Sequence, residues 1–200
     1  MKKFNFSVIV MLAAIVTGVT SCNSKNKSTE EKDIKTEQTP ILEDEIEERS
    51  ITVTLNSASD SNVMGEVTFT EVDGVVSMQG TFTGLTPNST HAIHLHDEAD
   101  CSSGDGMSTG GHWNPTDEKH GKWNDHDGYH AGDIGNLESD ENGNATITFS
   151  TDQWCIDCDD DTKNIIGTGI IVHEDLDDFK TQPTGDAGGR IACGEIKDHK

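Results

Sequence analysis

The chain has 200 residues, 20 of them glycine and only 5% aromatic, and a formal net charge of −23. So acidic a protein is excluded from ordinary nucleic-acid binding and from attraction to anionic lipid surfaces. No long helical periodicity is present, and the composition suits one loop-rich β domain of about 150 residues.

The chain opens Met1-Lys2-Lys3 and turns apolar from Val8 to Val16, with small residues up to Ser21. This is the charged n-region and apolar h-region of a secretory signal. The run is too short to cross ~30 Å of hydrocarbon as a transmembrane helix. Val19-Thr20-Ser21-Cys22 resembles the bacterial lipoprotein box, so residues 1–21 read as a lipoprotein signal peptide and Cys22 as the acylated first residue. Each acyl CH₂ buried in the membrane contributes ~0.8 kcal/mol. Loss of Lys2 and Lys3 would take the charge from −23 to −25. Residues 22–49 form an acidic tether whose only large apolar positions are Ile34, Ile41, Leu42 and Ile46, too few for a core. A lipid membrane, reached through acylated Cys22, is thus an expected partner. The expected location is the cell envelope, on the periplasmic or outer side of a bacterial membrane.

The domain, residues 50–200, begins with strand signals. Ile51 to Leu55, Val67 to Phe69 and Ala145 to Phe149 alternate cleanly between apolar and polar residues. Glu71-Val72-Asp73-Gly74 and Asp140-Glu141-Asn142-Gly143 supply turns. Further strands are expected near 75–84, 91–96, 133–138, 167–173 and 190–196. About eight short strands predict an all-β, antiparallel sandwich or flattened barrel. Two long segments, 97–130 and 174–189, interrupt it, and loops of that length usually carry function.

Eight of the nine histidines fall between residues 91 and 173. Within His91-Ala92-Ile93-His94-Leu95-His96, alternate side chains of a strand share a face at a spacing of ~7 Å. His94 and His96 therefore aim two imidazoles at one point, which reads as one half of a metal site. His112, His120, His126 and His130 follow in a Gly- and Asp-rich stretch, and His173 ends the run Ile170-Ile171-Val172. His91 and His199 are read as a framework hydrogen-bonding residue and a solvated tail.

From about 50 to 198 the chain resembles copper/zinc superoxide dismutase of the bacterial secreted type. The segments that carry the resemblance are His91 to His96, His112-Trp113-Asn114-Pro115, Lys119-His120-Gly121 and His130-Ala131-Gly132-Asp133. Ile171-Val172-His173-Glu174 and Gly189-Arg190-Ile191-Ala192-Cys193-Gly194 complete the set. The resemblance implies a Greek-key arrangement of the eight strands, an architecture this family shares with other β-sandwiches. It implies copper at His94, His96, His112 and His173, and zinc at His112, His120, His130 and Asp133, with His112 bridging the two. Four imidazoles suit tetragonal copper(II), and three histidines with an aspartate suit tetrahedral zinc. The interval from His120 to His130 is one residue longer than the family pattern. His126 lies inside it and competes for the zinc position, although the register of Asn114-Pro115 and Lys119-His120-Gly121 favours His120. Asp177 takes the place of a carboxylate that links a copper-bound to a zinc-bound histidine and so orients both rings.

If Cys22 is acylated, four of the five cysteines remain and allow three pairings. The resemblance implies Cys101 with Cys193; for Cys155-Ile156-Asp157-Cys158, which is no motif of that family, a local disulfide is expected ahead of the alternative, a functional dithiol. The implied activity is dismutation of superoxide to dioxygen and hydrogen peroxide, protecting the envelope, with Arg190 guiding the anion and His112 carrying a proton. The acidic charge opposes an anionic substrate. At physiological salt, however, the Debye length is about 8 Å, so copper, Arg190 and Lys180 can dominate at the mouth. The alternative is a non-catalytic, copper-buffering protein of the same fold, which would need neither Arg190 nor two separate ligand sets. A monomer and a homodimer are both compatible with the sequence.

Overall fold

The computed structural model describes residues 47–198. The expected signal peptide, Cys22, most of the expected tether and His199 lie outside the described residues. Eight strands follow in chain order: β1 Glu48–Ser57, β2 Met64–Val72, β3 Val75–Thr83, β4 Thr90–His96, β5 Gly135–Glu138, β6 Ala145–Thr151, β7 Gly169–His173 and β8 Arg190–Glu195. The sole helical element among the described residues is a single 3₁₀ turn, Met107–Thr109.

The strands form one antiparallel sheet in the order β5-β4-β7-β8-β1-β2-β3-β6, which curls into a nearly closed barrel. Each half keeps its own ladder. β1 pairs with β2 along Glu48 to Leu55, and β3 pairs with both β2 and β6. β4 pairs with β5 and β7, and β7 with β8. The halves are stitched where Asn56 and Ser57 of β1 meet Cys193 and Ala192 of β8. The connections from β3 to β4, from β5 to β6 and from β6 to β7 cross between halves, which gives the Greek-key order.

The alternation read from the sequence is the burial pattern observed. In β3, Val76, Met78, Gly80 and Phe82 face inward while their neighbours face solvent. Ile51, Val53 and Leu55 of β1 and Val67 and Phe69 of β2 meet them in the core. β4 is different, with both faces buried from His91 onward. Ile93 and Leu95 join the core, while His94 and His96 point to the outer face. The strand is covered there because the long connections 97–134 and 174–189 fold over it. A third long connection, 152–168, was not among the two expected. It carries Trp154, whose buried indole donates to Ala131 O at 2.8 Å and thereby props the 97–134 segment.

The Cys101–Cys193 disulfide is formed, tying that segment to β8 across a sequence separation of 92. In the chain-entropy model such a loop closure stabilises by ~4–5 kcal/mol. Cys155 and Cys158 are joined locally.

Candidate metal centre

β4 sets the geometry. Its ladder to β7 places His94 opposite Ile171 and His96 opposite Gly169. The β7–β8 ladder slips between Val172 and His173, so that His173 faces Arg190. Such an irregularity re-aims a side chain, and here His173 meets His96, with their Nε2 atoms 3.3 Å apart. The 97–134 segment returns to the end of β4, where His112 forms an isolated antiparallel bridge with His96. Trp113 N donates to Leu95 O at 2.8 Å, Leu95 N to Gly132 O at 2.9 Å, and Gly132 N to Trp113 O at 2.9 Å. A Cβ at Gly132 would collide with Leu95 O, so this close approach of three backbones requires glycine.

Two buried donor groups result. His94, His96, His112 and His173 form the first, and His112, His120, His130 and Asp133 the second; within each, one donor atom per residue lies within 4.8 Å of the others. His112 belongs to both. Its Nδ1 donates to Asp133 Oδ1 at 2.8 Å, whereas its Nε2 is buried without a hydrogen-bond partner. His94 Nδ1 is likewise buried without one, whereas His120 Nδ1 lies 3.0 Å from Asp133 Oδ2. Buried polar atoms are normally satisfied, so His94 Nδ1 and His112 Nε2, both orphaned among the residues of the first group, mark a place for a cation; His91 Nε2, on the core-facing side of β4 and in neither group, is orphaned as well. The donor types fit copper in the all-histidine group and zinc in the mixed group.

Asp177 spans the two groups from the 174–189 connection. Its Oδ2 accepts from His94 Nε2 and its Oδ1 from His120 Nε2, both at 2.9 Å. With Nε2 of each ring so engaged, Nδ1 is the nitrogen that each ring has left to offer an ion. Asn136 on β5 holds Asp177 at both ends of its backbone, accepting from Asp177 N at 2.8 Å and donating to Asp177 O at 3.0 Å. Gln182 does the same for His120, at 3.0 and 2.8 Å. Gly185 has φ +68°, and a Cβ there would strike both Asp177 Oδ1 and His120 Nε2. Sequence reasoning missed Asn136, Gln182 and Gly185. None belongs to a ligand residue type at ligand spacing, and only the Gly185 position in a loop hinted at a backbone constraint.

His91 takes the framework place expected of it. It lies on the core-facing side of β4, and its Nδ1 donates to His173 O at 3.0 Å. His126 is not part of either donor group; it lies on the surface, 85% exposed, between Asp125 and Asp127. Arg190 is half-buried and held by three acceptors around the 3₁₀ turn. Nη1 donates to Gly106 O and Thr109 Oγ1, both at 2.8 Å, and Nη2 donates to Gly110 O at 2.7 Å. Gly110 O also accepts from His96 Nδ1 at 3.2 Å, linking the guanidinium to the first group through one carbonyl.

The electrostatics of the metal-free protein divide in the same way. Burial pushes His96 and His173 far below the ordinary imidazole value, with neighbouring imidazoles adding to the effect. Burial also lowers His112, from 6.5 to about 4, even though Asp133 pulls the other way. His120 runs opposite: burial disfavours its charge, but Asp133 and Asp177 outweigh that and raise it to about 9. Burial works against ionising Asp133 and Asp177 as well, yet their histidine partners hold both well below the usual carboxylate range.

Comparison with known proteins places this geometry. Residues 63–196 match the family model for copper/zinc superoxide dismutase. The curated superoxide dismutase [Cu-Zn] 2 of Aquifex aeolicus is 34% identical over 143 residues, covering 70% of this chain and 82% of that protein. Among solved structures, a double mutant of an SOD-like protein from Bacillus subtilis superposes with a TM-score of 0.66 at 30% identity, over 74% of this chain and 97% of the other. The clock protein EA4 superposes with a TM-score of 0.63 at 37% identity, over 73% and 93%. The family match runs from just before β2 to the end of β8, through both donor groups and Arg190, and on that ground the chain belongs to the copper/zinc superoxide dismutases, oxidoreductases that carry both metals.

Proposed function

We propose that the chain dismutates superoxide in the cell envelope at a copper held by His94, His96, His112 and His173. A zinc held by His112, His120, His130 and Asp133 organises that site. The observation that carries this reading is His112, which stands in both donor groups and turns Nδ1 to one and a partnerless Nε2 to the other. A copper-buffering protein would have no use for such a shared imidazole.

Copper, when bound, supplies the one-electron couple that zinc lacks. The protein does the rest. Arg190, fixed by three acceptors, presents its charge beside His173 and docks the superoxide anion. His112 Nε2 takes up a proton between the two half-reactions and returns it as peroxide forms, so that two superoxides and two protons give dioxygen and hydrogen peroxide. Asp177 keeps the His94 and His120 rings in one tautomer throughout. Both donor groups come from one chain, so a homodimer is not required for the chemistry.

The envelope setting rests on the Lys2-Lys3 and Val8–Val16 leader and on Cys22 after Ser21. Two disulfides among the described residues accord with an oxidising compartment. Labelling cells with a radioactive fatty acid should mark the parent chain, and Cys22→Ala should remove both the label and membrane association.

The deciding experiment is metal analysis with superoxide consumption on purified, metal-loaded protein. One copper and one zinc per chain, with turnover far above free copper, is the expected result. Bound copper with no such turnover would favour buffering instead.

A further inference from the structure

Thr109 ends the 3₁₀ turn and is fully buried, although it stands in neither donor group. Every part of it is held. Its carbonyl accepts from Glu98 N at 3.0 Å, and its hydroxyl donates to Gly106 O at 2.9 Å. Its methyl lies over Gly169 of β7, where an added Cβ would come within 3.0 Å of Thr109 Cγ2. A side chain fixed so fully keeps one rotamer, and with it one direction for the lone pairs of its oxygen.

Those lone pairs meet Arg190, whose Nη1 donates to Thr109 Oγ1 at 2.8 Å. The sense of the chain of hydrogen bonds is forced. A carbonyl cannot donate and a guanidinium cannot accept, so the hydroxyl gives its proton to Gly106 O and receives one from the arginine. Gly106 O also accepts from Nη1 at 2.8 Å, and Gly110 O from Nη2 at 2.7 Å. Gly110 O accepts from His96 Nδ1 as well, which sets the guanidinium beside the first donor group. All three acceptors are uncharged, and no carboxylate pairs with Arg190 among the described residues. The clasp orients the guanidinium without cancelling its charge, as a carboxylate in the same place would.

We infer that Thr109 is a positioning residue for Arg190: its locked hydroxyl holds the guanidinium beside the first donor group while leaving the charge to an arriving anion. The inference rests on the docking role proposed for Arg190 and deepens it. The turn holds the arginine, not the arginine the turn.

Two substitutions separate the hydroxyl from the shape. Thr109→Val keeps the methyl over Gly169 and removes the acceptor, whereas Thr109→Ser keeps the acceptor and removes the methyl. The chain has only two arginines, Arg49 and Arg190, so their guanidinium signals are readily assigned by NMR of the full chain loaded with zinc and copper(I). In the parent and in Thr109→Ser the Nη protons of Arg190 should give separate signals. In Thr109→Val they should merge through faster rotation, with Arg49 unchanged. Superoxide consumption at low ionic strength should fall about threefold in Thr109→Val, a part of what local attraction supplies, and stay within about twofold of the parent in Thr109→Ser. Copper and zinc content should match the parent in both.

Unchanged Arg190 signals in Thr109→Val overturn the positioning role. Equal losses of rate in Thr109→Val and Thr109→Ser overturn it too, since the methyl would then matter as much as the hydroxyl. A slower Thr109→Val that has also lost copper overturns it in favour of a structural role for the turn. Indifference of the rate to Arg190→Ala would instead remove the docking role itself, a failure seen without touching Thr109.

Discussion

Three of the four histidines in the first donor group hang on strands: His94 and His96 on β4, and His173 at the end of β7. All four residues of the second group come instead from the single connection between β4 and β5. The first group is therefore positioned by ladder hydrogen bonds made whether or not a metal is present. The second relies on side-chain props from outside its own segment: Asp177, Gln182, the Trp154 indole and the disulfide at Cys101. The electrostatics differ to match. Burial keeps His96 and His173 neutral, whereas Asp133 and Asp177 hold His120 charged. A strand-built site is preorganised, and a loop-built site needs its ion and its props to hold together.

The residue that belongs to both halves should give the largest effect. His112→Ala removes the shared imidazole and the proton-carrying Nε2, and should lower turnover by roughly 10²–10⁴-fold, the scale of a positioned proton-transfer group. Metal analysis should show both metals weakened. A variant that loses one metal and keeps the other at full affinity would break the idea that the halves share a ligand.

Asp177→Asn comes next. Loss of a carboxylate behind a ligand typically costs 10–100-fold in metal affinity. The larger loss should fall on zinc, because His120 lies on a loop while His94 keeps its strand. Hydrogen exchange should quicken over 112–134 and stay unchanged in β4 and β7. Equal loosening of both would show that the strand half is no better preorganised than the loop half.

How far the sequence disclosed these two halves follows from the same contrast. Strand alternation made β1, β3 and the outward pair His94 and His96 legible, since a period of two is all that such an argument needs. The loop half was legible only through resemblance. Spacing alone could not choose between His120 and His126; what separates them is a backbone grip on His120 by Gln182, 62 residues away. Asn136 and Gly185 act through main-chain hydrogen bonds and close approach, which leave no signature in residue type. The 152–168 connection was passed over because its contribution, one indole beneath Ala131, is tertiary.

Arg190→Ala should have a smaller effect, about tenfold in rate at low ionic strength, of the size expected for losing local electrostatic attraction. Copper content should remain that of the parent, since Arg190 contacts the 3₁₀ turn and its flanks rather than a metal-facing nitrogen. The difference should shrink as salt rises. Identical rates for parent and variant at low ionic strength would remove Arg190 from substrate guidance and leave it as a clasp for the turn.

The smallest effect is a shift of a few degrees in the melting temperature of the metal-free chain with pH, but it separates the halves most directly. His112 binds its proton at about 4 in the folded state and near 6.5 when unfolded. Between those values the unfolded chain holds more protons, so stability rises with pH; His96 and His173 act in the same direction. His120 has the opposite sign. Its folded value of about 9 exceeds its unfolded one, so its contribution is complete below about 6.5 and is lost as pH climbs to about 9. The melting temperature should therefore peak near pH 6.5, with an acid arm belonging mainly to the strand-held histidines and an alkaline arm belonging to the loop. Zinc requires deprotonated imidazole ligands, so loading zinc alone should abolish the alkaline arm. In the metal-free chain His120→Asn should abolish that arm while leaving the acid arm in place. An alkaline arm that survives in His120→Asn would assign it to another group and erase the electrostatic half of the contrast.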